Sequence, residues 1–502
     1  MVHEDNTGVP ANGGGGSAAT HDVIVVGNGV LGLSLALTLT RRGSRVAVVG
    51  EAARPWAAST AAGAMLGCFG EVTSTLLASS GGRAKLDLAV TAAGRWPAWL
   101  AELADDAAGP QGAKDGAGIR VADGTFVMLN AIGVPGIDSA NYAAIRTALA
   151  SYDRKYEDVE PADVPWIAPD AAGRPFAAMY LPDEHAVDSG LLLRRLESAL
   201  LNRGGTLVGE LATRVLQRND RVTGVTLASG STLHADTVVL AAGTRTQDLI
   251  DTVPQLAGRT PGLVAGFGVS ALLDAPGRQG PSSVIRTPNR AFACGLHLVP
   301  RSAGEVYVGA TNIISPTAVD KPVVRDAQFL LDCAVKQLHR DLWSSPVRRL
   351  QVGNRPVSLD GYPLIGEAGP DGLWLLTGTY RDGLHLSPLL AEEIARRLHG
   401  ETPQLDLSLF TPVRPPVQPM TRRDTVETAV THMLATGYEH DWRLPVDWPR
   451  TIEHSLRLEF RAFADEIHPT FTPPPEILAA ARYSPAITRT LRAYYAAYAA
   501  TD

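Results

Sequence analysis

The chain has 502 residues, of which 45% are hydrophobic, and it carries a formal net charge of −7. Its length exceeds the size at which single hydrophobic cores usually stop growing, so at least two domains are expected. The lysines and arginines are scattered along an acidic chain, which excludes the clustered basic surface of a nucleic-acid-binding protein.

Residues 1–20 are polar and rich in glycine, with no basic start followed by an apolar core. They predict a disordered tail rather than a signal peptide or an anchor. No apolar run elsewhere approaches the roughly 20 residues of a membrane span. Cys68, Cys294 and Cys333 lie far apart and form no metal-ligand spacing, which favours a reduced compartment. We therefore expect a cytoplasmic protein that binds neither a membrane nor a metal.

From His21 the chain reads HDVIVVGNGVLGLSLALTLTRRGSRVAVVGE, in which two apolar runs enclose a glycine-rich turn and a stretch of helical periodicity. This order predicts strand, helix and strand in a parallel sheet. Gly27 allows the tight turn, Gly29 lets a pyrophosphate approach the backbone, and Gly32 lets the helix pack on the strand. Three glycines alone are weak evidence, but their strand–turn–helix context indicates dinucleotide binding.

A carboxylate that binds ribose hydroxyls is expected at the end of the second strand. Gly50 occupies that position, and Glu51 follows it. Two interpretations remain open: a small bulge brings Glu51 to the ribose, or Glu51 is a surface residue.

Further along the chain, helical periodicity recurs in residues 84–104 and 191–203. Strand patterns predict a hairpin over 221–233, a buried strand within 235–243, and an antiparallel second sheet that includes 119–129 and 291–310. After Thr402 the chain changes character. TPVRPPVQP predicts an extended linker. Helix-like segments follow around 422–434, 451–467 and 475–500.

Six segments resemble, in the same order, motifs of the glycine-oxidase branch of the D-amino-acid-oxidase (DAO) family: ASTAAGAMLGCFGEV from Ala58, YLPDEHAVDSGLLLRRLESALLNRGG from Tyr180, ADTVVLAAGT from Ala235, HLVPRSAGEVYVGATN from His297, NRPVSLDGYPLIG from Asn354 and TGTYRDGLHLSPLLAEEIARRL from Thr377. The resemblance covers residues 22–398. Six separated motifs in one order are more specific than a single nucleotide fingerprint.

The resemblance implies an α/β fold: an FAD-binding Rossmann-type βαβ domain, an interleaved antiparallel-sheet (α+β) substrate domain, and a C-terminal helical extension. The FAD-binding domain is expected in residues 21–110, 186–255 and 350–401. The substrate domain is expected in residues 111–185 and 256–349. Residues 402–420 are expected to form the linker and residues 421–502 the extension. The extension is expected to roof the pocket or to form a contact between subunits of a homo-oligomer.

The resemblance also implies which residues contact FAD: Gly27, Gly29, Val30, Leu31, Gly32, Glu51, Ser59, Thr60, Ala62, Gly63, Ala64, Met65, Val215, Ala242, Gly243, Arg355, Arg381, Asp382, Gly383, Leu384 and His385. Some relatives tether FAD through a cysteine near the NRPVSLDGYP position or a histidine near the STAAG segment. The neighbours of Val357 include no cysteine, and residues 56–65 include no histidine. Non-covalent FAD is therefore predicted.

Arg355 matches the family's carboxylate-binding arginine, whose planar fork takes a carboxylate through two charge-assisted hydrogen bonds. The alternative for Arg355 is a structural ion pair, for example with Asp360. Arg381 matches a second family arginine near the flavin and the pocket, or it caps a turn. Tyr380 beside it lines the pocket or serves only for packing.

His297 occupies a place where glycine oxidases have a tyrosine that helps to bind the substrate carboxylate. A protonated imidazole would donate to a carboxylate, whereas a neutral one would accept from an amine or hydroxyl. A hydrogen-bonded core histidine on a strand is the structural alternative. His385 lies within the flavin-side motif, where it faces the flavin ring or the solvent.

The resemblance implies an oxidase of an amine or amino acid. The carbon that bears the amine gives hydride to flavin N5, the imine hydrolyses, and O2 reoxidises FAD with release of H2O2. The extension and His297 favour a specialised enzyme for a larger amine. Two alternatives remain open: a dehydrogenase with another electron acceptor, and an FAD-holding subunit of a hetero-oligomer.

Overall fold

A computed structural model describes residues 21–108, 118–292, 294–301, 304–440 and 442–499. The predicted disordered tail, residues 1–20, lies outside the described residues.

A six-stranded sheet carries the nucleotide motif. Its strands are, in spatial order, β20 (Leu364–Glu367), β21 (Leu373–Thr377), β13 (Thr237–Leu240), β1 (Val23–Val26), β2 (Val46–Val49) and β9 (Thr206–Val208). Neighbouring strands are parallel except β20, which pairs antiparallel with β21. Strands β1 and β2 are buried along their whole length, which confirms the prediction made from their uninterrupted apolar runs.

Both faces of this sheet are covered. One face packs against helices α1 (Val30–Arg41), α3 (Ser80–Ala108), α5 (Ser189–Asn202) and α8 (Gly383–Leu398). The other face packs against an antiparallel sheet of β10 (Ala212–Arg218), β11 (Arg221–Leu227) and β12 (Thr232–His234). Successive residues of β1 therefore enter two cores, with Val25 on the helical side and Ile24 on the other.

The second large sheet is mostly antiparallel, as predicted. Its order is β18 (Ile313–Ser315), β14 (Leu263–Asp274), β17 (Glu305–Gly309), β16 (His297–Pro300), β15 (Val284–Arg286), β5 (Thr125–Asn130), β7 (Pro175–Leu181) and β6 (Glu157–Val159), with β19 (Val347–Ser358) also paired to β14. Strands β5 and β15 pair in parallel. Helices α4 (Pro135–Ser151) and α7 (Val324–Gln337), which the sequence patterns did not reveal, pack on this sheet.

The remaining elements are short. Strands β3 (Met65–Leu66), β4 (Arg120–Ala122) and β8 (His185–Val187) form a small sheet, and two short helices are α2 (Ser74–Ala78) and α6 (Thr246–Ile250). The strand-like piece at residues 119–129 thus divides between two sheets. Gly124 lies between its halves at φ 74°, a conformation that favours glycine.

The C-terminal extension consists of helices α9 (Arg422–Glu439), α10 (Trp448–Ile467), α11 (Pro475–Arg482) and α12 (Pro485–Ala499). The sequence predicts one helix-like segment over residues 475–500, and this is wrong because Pro485 interrupts it. A proline lacks the backbone N–H and disfavours a helical conformation at the preceding residue. Phe460 and Leu491 of the extension share a core with Val264 of β14 and Val357 of β19. The extension is therefore docked on the second sheet.

The predicted linker, residues 402–420, is anchored by Arg414. This buried arginine pairs with buried Asp360 through Nε–Oδ2 at 2.8 Å and NH2–Oδ1 at 2.7 Å. The same guanidinium donates to the carbonyls of Tyr362 at 2.9 Å and Pro363 at 2.7 Å. The Tyr494 hydroxyl of α12 donates to the Arg414 carbonyl at 3.0 Å. The segment is therefore held in place rather than free.

Within the described part of the chain, no helix is both long and apolar enough to cross a membrane. The same residues contain no cluster of histidine, cysteine or carboxylate side chains suited to a metal ion.

Replacing Arg414 by alanine leaves Asp360 buried without its partner. Removing one member of a buried pair costs about 3–5 kcal/mol, so we expect Arg414→Ala to lower the melting temperature by several degrees in thermal unfolding followed by circular dichroism. The control is Arg45→Ala, because the Arg45–Asp22 pair is 62% and 45% exposed and exposed ion pairs contribute little to stability. Equal shifts in the melting temperature of the two variants would show that the buried pair contributes no more to stability than the exposed pair.

Candidate active site

One cavity of about 280 Å³ is lined by residues of both large sheets. It brings together most of the residues proposed from sequence: Gly27, Gly29, Val30, Leu31, Glu51, Ser59, Ala62, Gly63, Ala64, Met65, Ala242, Gly243, His297, Arg355, Tyr380, Arg381, Asp382, Gly383, Leu384 and His385. Residues from seven separated stretches of the chain thus meet around a single space.

Gly32, Thr60 and Val215 do not line this cavity. A Cβ at Gly32 would lie 1.9 Å from the carbonyl oxygen of Gly27, so this glycine permits the close packing of helix on turn. The Thr60 hydroxyl donates to the Ala57 carbonyl at 2.9 Å within a local turn. Val215 is buried in the core beneath the central sheet. These three residues therefore have local structural roles and do not line the cavity.

The nucleotide turn is tightly built. Gly27 has φ 120°, and a Cβ there would lie 2.2 Å from the carbonyl oxygen of Ala241, so glycine is required on both counts. The Ser59 hydroxyl accepts from the Val30 N–H at 3.1 Å, which connects the ASTAAG motif to the start of α1. The first residues of α1 therefore line the cavity.

Gly50 directly follows strand β2. Asn28 fills the space that a side chain at position 50 would need. A Cβ at Gly50 would approach Asn28 Oδ1 to 2.6 Å. Asn28 Nδ2 donates to the Glu51 carbonyl at 2.9 Å. The Glu51 side chain lines the cavity at its edge, is 41% exposed, and lies 3.9 Å from Arg245 NH2. Glu51 thus lies at the rim between cavity and solvent.

Arg355 extends from β19, where its register partner on β14 is Gly266. Its NH1 donates to the carbonyls of Gly266 at 3.3 Å and Thr311 at 3.4 Å, and to Asn312 Oδ1 at 3.1 Å. Its guanidinium joins no ion pair with a described residue, and Asp360 is occupied by the linker arginine. The alternative of a structural pair with Asp360 is therefore wrong. The remaining guanidinium N–H groups of Arg355 are available to a ligand.

Two glycines on the second sheet provide space for the candidate side chains. A Cβ at Gly268 would lie 2.7 Å from both NH1 and NH2 of Arg355, and a Cβ at Gly309 would lie 2.6 Å from His297 Nε2. Neither glycine has a positive φ. Space rather than backbone conformation therefore requires glycine at both positions.

Tyr380 and Arg381 form a turn that joins two motifs. The Tyr380 N–H donates to the Pro356 carbonyl at 3.0 Å, although Tyr380 at φ 52° lies in a region that costs a non-glycine residue roughly 1 kcal/mol. Its hydroxyl accepts from Asn312, and Arg381 Cζ lies 4.9 Å from its ring centroid. Arg381 NH2 reaches the Phe292 carbonyl at 3.5 Å, and its buried Nε has no partner among the described residues. Such a donor is costly unless a ligand accepts from it.

His297 is buried at the start of β16. Its Nδ1 donates to the Gly295 carbonyl at 2.9 Å, because a carbonyl oxygen can only accept. Burial lowers the pKa of His297 to about 4, so the ring is neutral at physiological pH and Nε2 is a bare acceptor. The lowered pKa argues against the interpretation of His297 as a protonated donor to a carboxylate. Its ring instead offers an acceptor to an amine or hydroxyl.

His385 is also buried and does not face solvent, so that interpretation is wrong. Its Nε2 donates to the Ala89 carbonyl at 2.7 Å, whereas Nδ1 has no partner among the described residues. Burial lowers the pKa of His385. This histidine lines the cavity as a neutral ring with a bare nitrogen.

Glu71 lines the cavity and was not predicted from sequence, although it lies within the motif ASTAAGAMLGCFGEV. Its Oε1 accepts from Arg286 NH1 at 2.5 Å and its Oε2 from Asn289 Nδ2 at 3.0 Å. Burial by itself would raise the pKa of Glu71, but Arg286 and Arg381 outweigh it and lower the pKa to about 2. Glu71 is therefore an ionised carboxylate beside the candidate substrate residues.

Glu184 holds the loop that carries Glu71. Its carboxylate accepts from the backbone N–H groups of Cys68 at 2.9 Å, Phe69 at 2.6 Å and Gly70 at 3.2 Å. Burial raises the pKa of Glu184. No sequence pattern announces this contact, because the partners lie 114 to 116 positions apart.

Tyr307 and Cys294 also line the cavity and were missed. The Tyr307 hydroxyl donates to the Ala61 carbonyl at 3.0 Å, and its ring stacks on His297 with centroids 5.8 Å apart. Cys294 carries a free thiol. Cys294 lies outside both tether positions expected from the family, the one near Val357 and the one in residues 56–65.

The cavity fits an extended dinucleotide such as FAD. Gly27 leaves backbone space at the turn before α1, and the first residues of both α1 and α8 line the same cavity. A helix N-terminus favours negative charge. The start of α1 therefore suits a pyrophosphate, and the start of α8 suits the negative charge that collects in a reduced flavin ring.

Comparison with known proteins agrees with this geometry. A family model described as FAD dependent oxidoreductase (DAO) matches residues 22–397. Glycine oxidase of Pseudomonas putida is 32% identical over 238 residues, which span 47% of this chain and 61% of that relative. Glycine oxidase of Pseudomonas aeruginosa is 28% identical over 401 residues, which span 78% of this chain and 98% of the relative.

Among solved structures, glycine oxidase from Geobacillus kaustophilus is similar with a TM-score of 0.65 at 24% identity, covering 78% of this chain and 98% of that one. This likeness confirms the predicted α/β fold. The family model ends at residue 397, before the C-terminal extension.

The buried neutral state of His297 predicts a loss of stability in acid. The unfolded chain binds this proton near pH 6.5, whereas the folded chain binds it only near pH 4. Stability therefore falls as the pH drops through that window, by about 2 kcal/mol between pH 7 and pH 5 for this one group. We expect His297→Gln to show a smaller decrease in melting temperature over that range than the parent protein. His454→Gln, at an exposed position, should behave as the parent, and an identical pH dependence in the His297 variant would refute the assignment.

Proposed function

The chain belongs to the DAO family of FAD-dependent oxidoreductases, and we propose that it oxidises an amine or amino acid at the carbon that bears the nitrogen. The observation that carries this proposal is the single cavity that joins the nucleotide turn at Gly27 to the unpaired fork of Arg355 and the bare acceptor of His297. A cofactor site and a site for a small polar substrate thus share one space.

FAD, when bound, supplies the two-electron acceptor for the C–H bond next to the nitrogen. In the complete reaction, amine and O2 become imine and hydrogen peroxide, and the imine hydrolyses in water to a carbonyl compound. The protein's own side chains bind the substrate, orient it and exclude water from the reacting carbon.

Arg355 binds the substrate carboxylate in this proposal. Its three protein hydrogen bonds all come from NH1, which holds the guanidinium in place. A planar fork fixed in this way can take a carboxylate through charge-assisted hydrogen bonds. Arg381 supplies a second cationic group beside it, with Nε as the donor that lacks a protein partner.

His297 orients the amine. Its Nε2 accepts a hydrogen bond from the substrate nitrogen, because Nδ1 already donates to Gly295. A group with a pKa of about 4 is too weak a base to deprotonate an ammonium group efficiently at neutral pH. We therefore assign His297 to positioning rather than to proton removal.

Anaerobic mixing of the holoenzyme with a panel of amines and amino acids tests the proposed reaction directly. A substrate should bleach the oxidised flavin absorbance, and admission of O2 should restore it with formation of H2O2. If every amine leaves the flavin oxidised, the proposal is wrong. Bleaching followed by slow recovery in O2 would instead support a dehydrogenase.

In the same assay, Arg355→Ala should raise the half-saturating concentration of an amino-acid substrate by about 100-fold, since two charge-assisted hydrogen bonds are lost. Arg348→Ala is the matched control, because Arg348 lies on the same strand, is 54% exposed and pairs with Asp274. An unchanged half-saturating concentration in Arg355→Ala would remove Arg355 from the carboxylate site.

Non-covalent FAD is predicted from the tether positions near Val357 and in residues 56–65. Precipitation of the holoenzyme with trichloroacetic acid should leave a colourless pellet and a yellow supernatant. A pellet that stays yellow would contradict this prediction. Cys294→Ala would then show whether the cavity thiol is the tether.

A further inference from the structure

A second cavity of about 220 Å³ adjoins the first. Glu71, Tyr380, Arg381 and Asp382 line both. The two spaces therefore meet at the wall that contains the Arg381 Nε, which has no partner among the described residues, beside the proposed substrate residues.

One wall of the second cavity is formed by the C-terminal extension, through Thr428, His432, Pro475 and Glu476, together with Met420 at the end of the linker. The family model ends at residue 397, so this wall lies outside the part of the chain that matches it. The extension therefore adds to the second cavity a wall that the family-matched part of the chain does not supply.

Most charged groups of the second cavity have ionic partners: Lys85 with Asp382 at 3.5 Å, Arg290 with Asp138 at 2.9 Å, and Glu71 with Arg286 at 2.5 Å. Arg381 and Glu476 differ, because neither joins an ion pair with any residue that the structure describes. Charges sheltered from water are stabilised when they are paired. The cavity thus offers one cation on the shared wall and one carboxylate on the extension wall.

His432 of α9 determines what else the extension wall presents. Its Nδ1 accepts from the Phe292 N–H at 3.1 Å, and burial lowers the pKa of His432 to about 4. The ring is therefore neutral, with its proton on Nε2. It adds no positive charge to the wall, so the Glu476 carboxylate has no competing cation from this histidine.

We propose that the second cavity holds the distal part of the substrate, and that this substrate is an amino acid whose side chain ends in a cation. The terminal amine or guanidine lies at Glu476, while the α-carboxylate lies at Arg355 and Arg381. This inference rests on the proposed amine oxidation, because it places the reacting end of the same molecule in the first cavity. The extension then acts as the part of the protein that selects the substrate.

Charge-matched probe pairs test this assignment on the holoenzyme. Lysine is compared with norleucine, and arginine with citrulline, each as both enantiomers, by anaerobic bleaching of the flavin. We expect the cationic member of each pair to reduce the flavin with a specificity constant about tenfold higher than its neutral partner. In Glu476→Gln this ratio should fall towards one.

Glu466→Gln is the matched control, since Glu466 belongs to the same extension and its side chain is 66% exposed. It should keep the parent's ratio. Bleaching by both members of each pair with equal constants would overturn the distal cation site while leaving amine oxidation intact. A ratio that survives in Glu476→Gln would show that Glu476 only supports the first turn of α11. If no amine bleaches the flavin, the proposed function and this inference fail together.

Discussion

The buried ion pair between Asp360 and Arg414 fixes the position of the C-terminal extension relative to the candidate active site. Asp360 follows the strand that carries Arg355, and Arg414 belongs to the segment that leads into the extension. A buried charge is tolerated only when it is paired and hydrogen-bonded. Here the guanidinium also donates to the Tyr362 carbonyl, and Tyr494 of the last helix donates to the Arg414 carbonyl. Strand, linker and extension are thereby held at one point.

The same physical rule separates structural polar groups from those available to a ligand. Glu184 is satisfied by three backbone N–H groups, and Glu71 is paired with Arg286. In contrast, the Arg381 Nε has no partner in the described structure, and the His297 Nε2 is a bare acceptor in the same cavity. Unsatisfied buried groups are costly. Two of the buried side-chain atoms that lack a partner among the described residues, Arg381 Nε and His385 Nδ1, belong to residues that line the first cavity, and this supports a polar ligand there.

Several elements could be predicted because their signals are local. Uninterrupted apolar runs identified the first two strands, and helical periodicity identified the helix now seen at Ser80–Ala108. The helix Pro135–Ser151 escaped notice, and a proline divided the segment at residues 475–500 into two helices. Gly50 occupies the position where an acid is expected, and a side chain there would collide with Asn28. This contact cannot be predicted from strand or helix patterns.

The sequence by itself determined the family resemblance, the FAD requirement and a set of site residues of which all but Gly32, Thr60 and Val215 line the cavity, since short motifs carry these signals through residue type and spacing. Only the tertiary structure decided that His297 Nδ1 is engaged by the Gly295 carbonyl, that Glu71 borders the site, and that the extension supplies one wall of a second cavity, including Glu476. Those properties depend on burial and on partners far away along the chain. Protonation state and pairing are set by three-dimensional surroundings, and a linear pattern does not contain them.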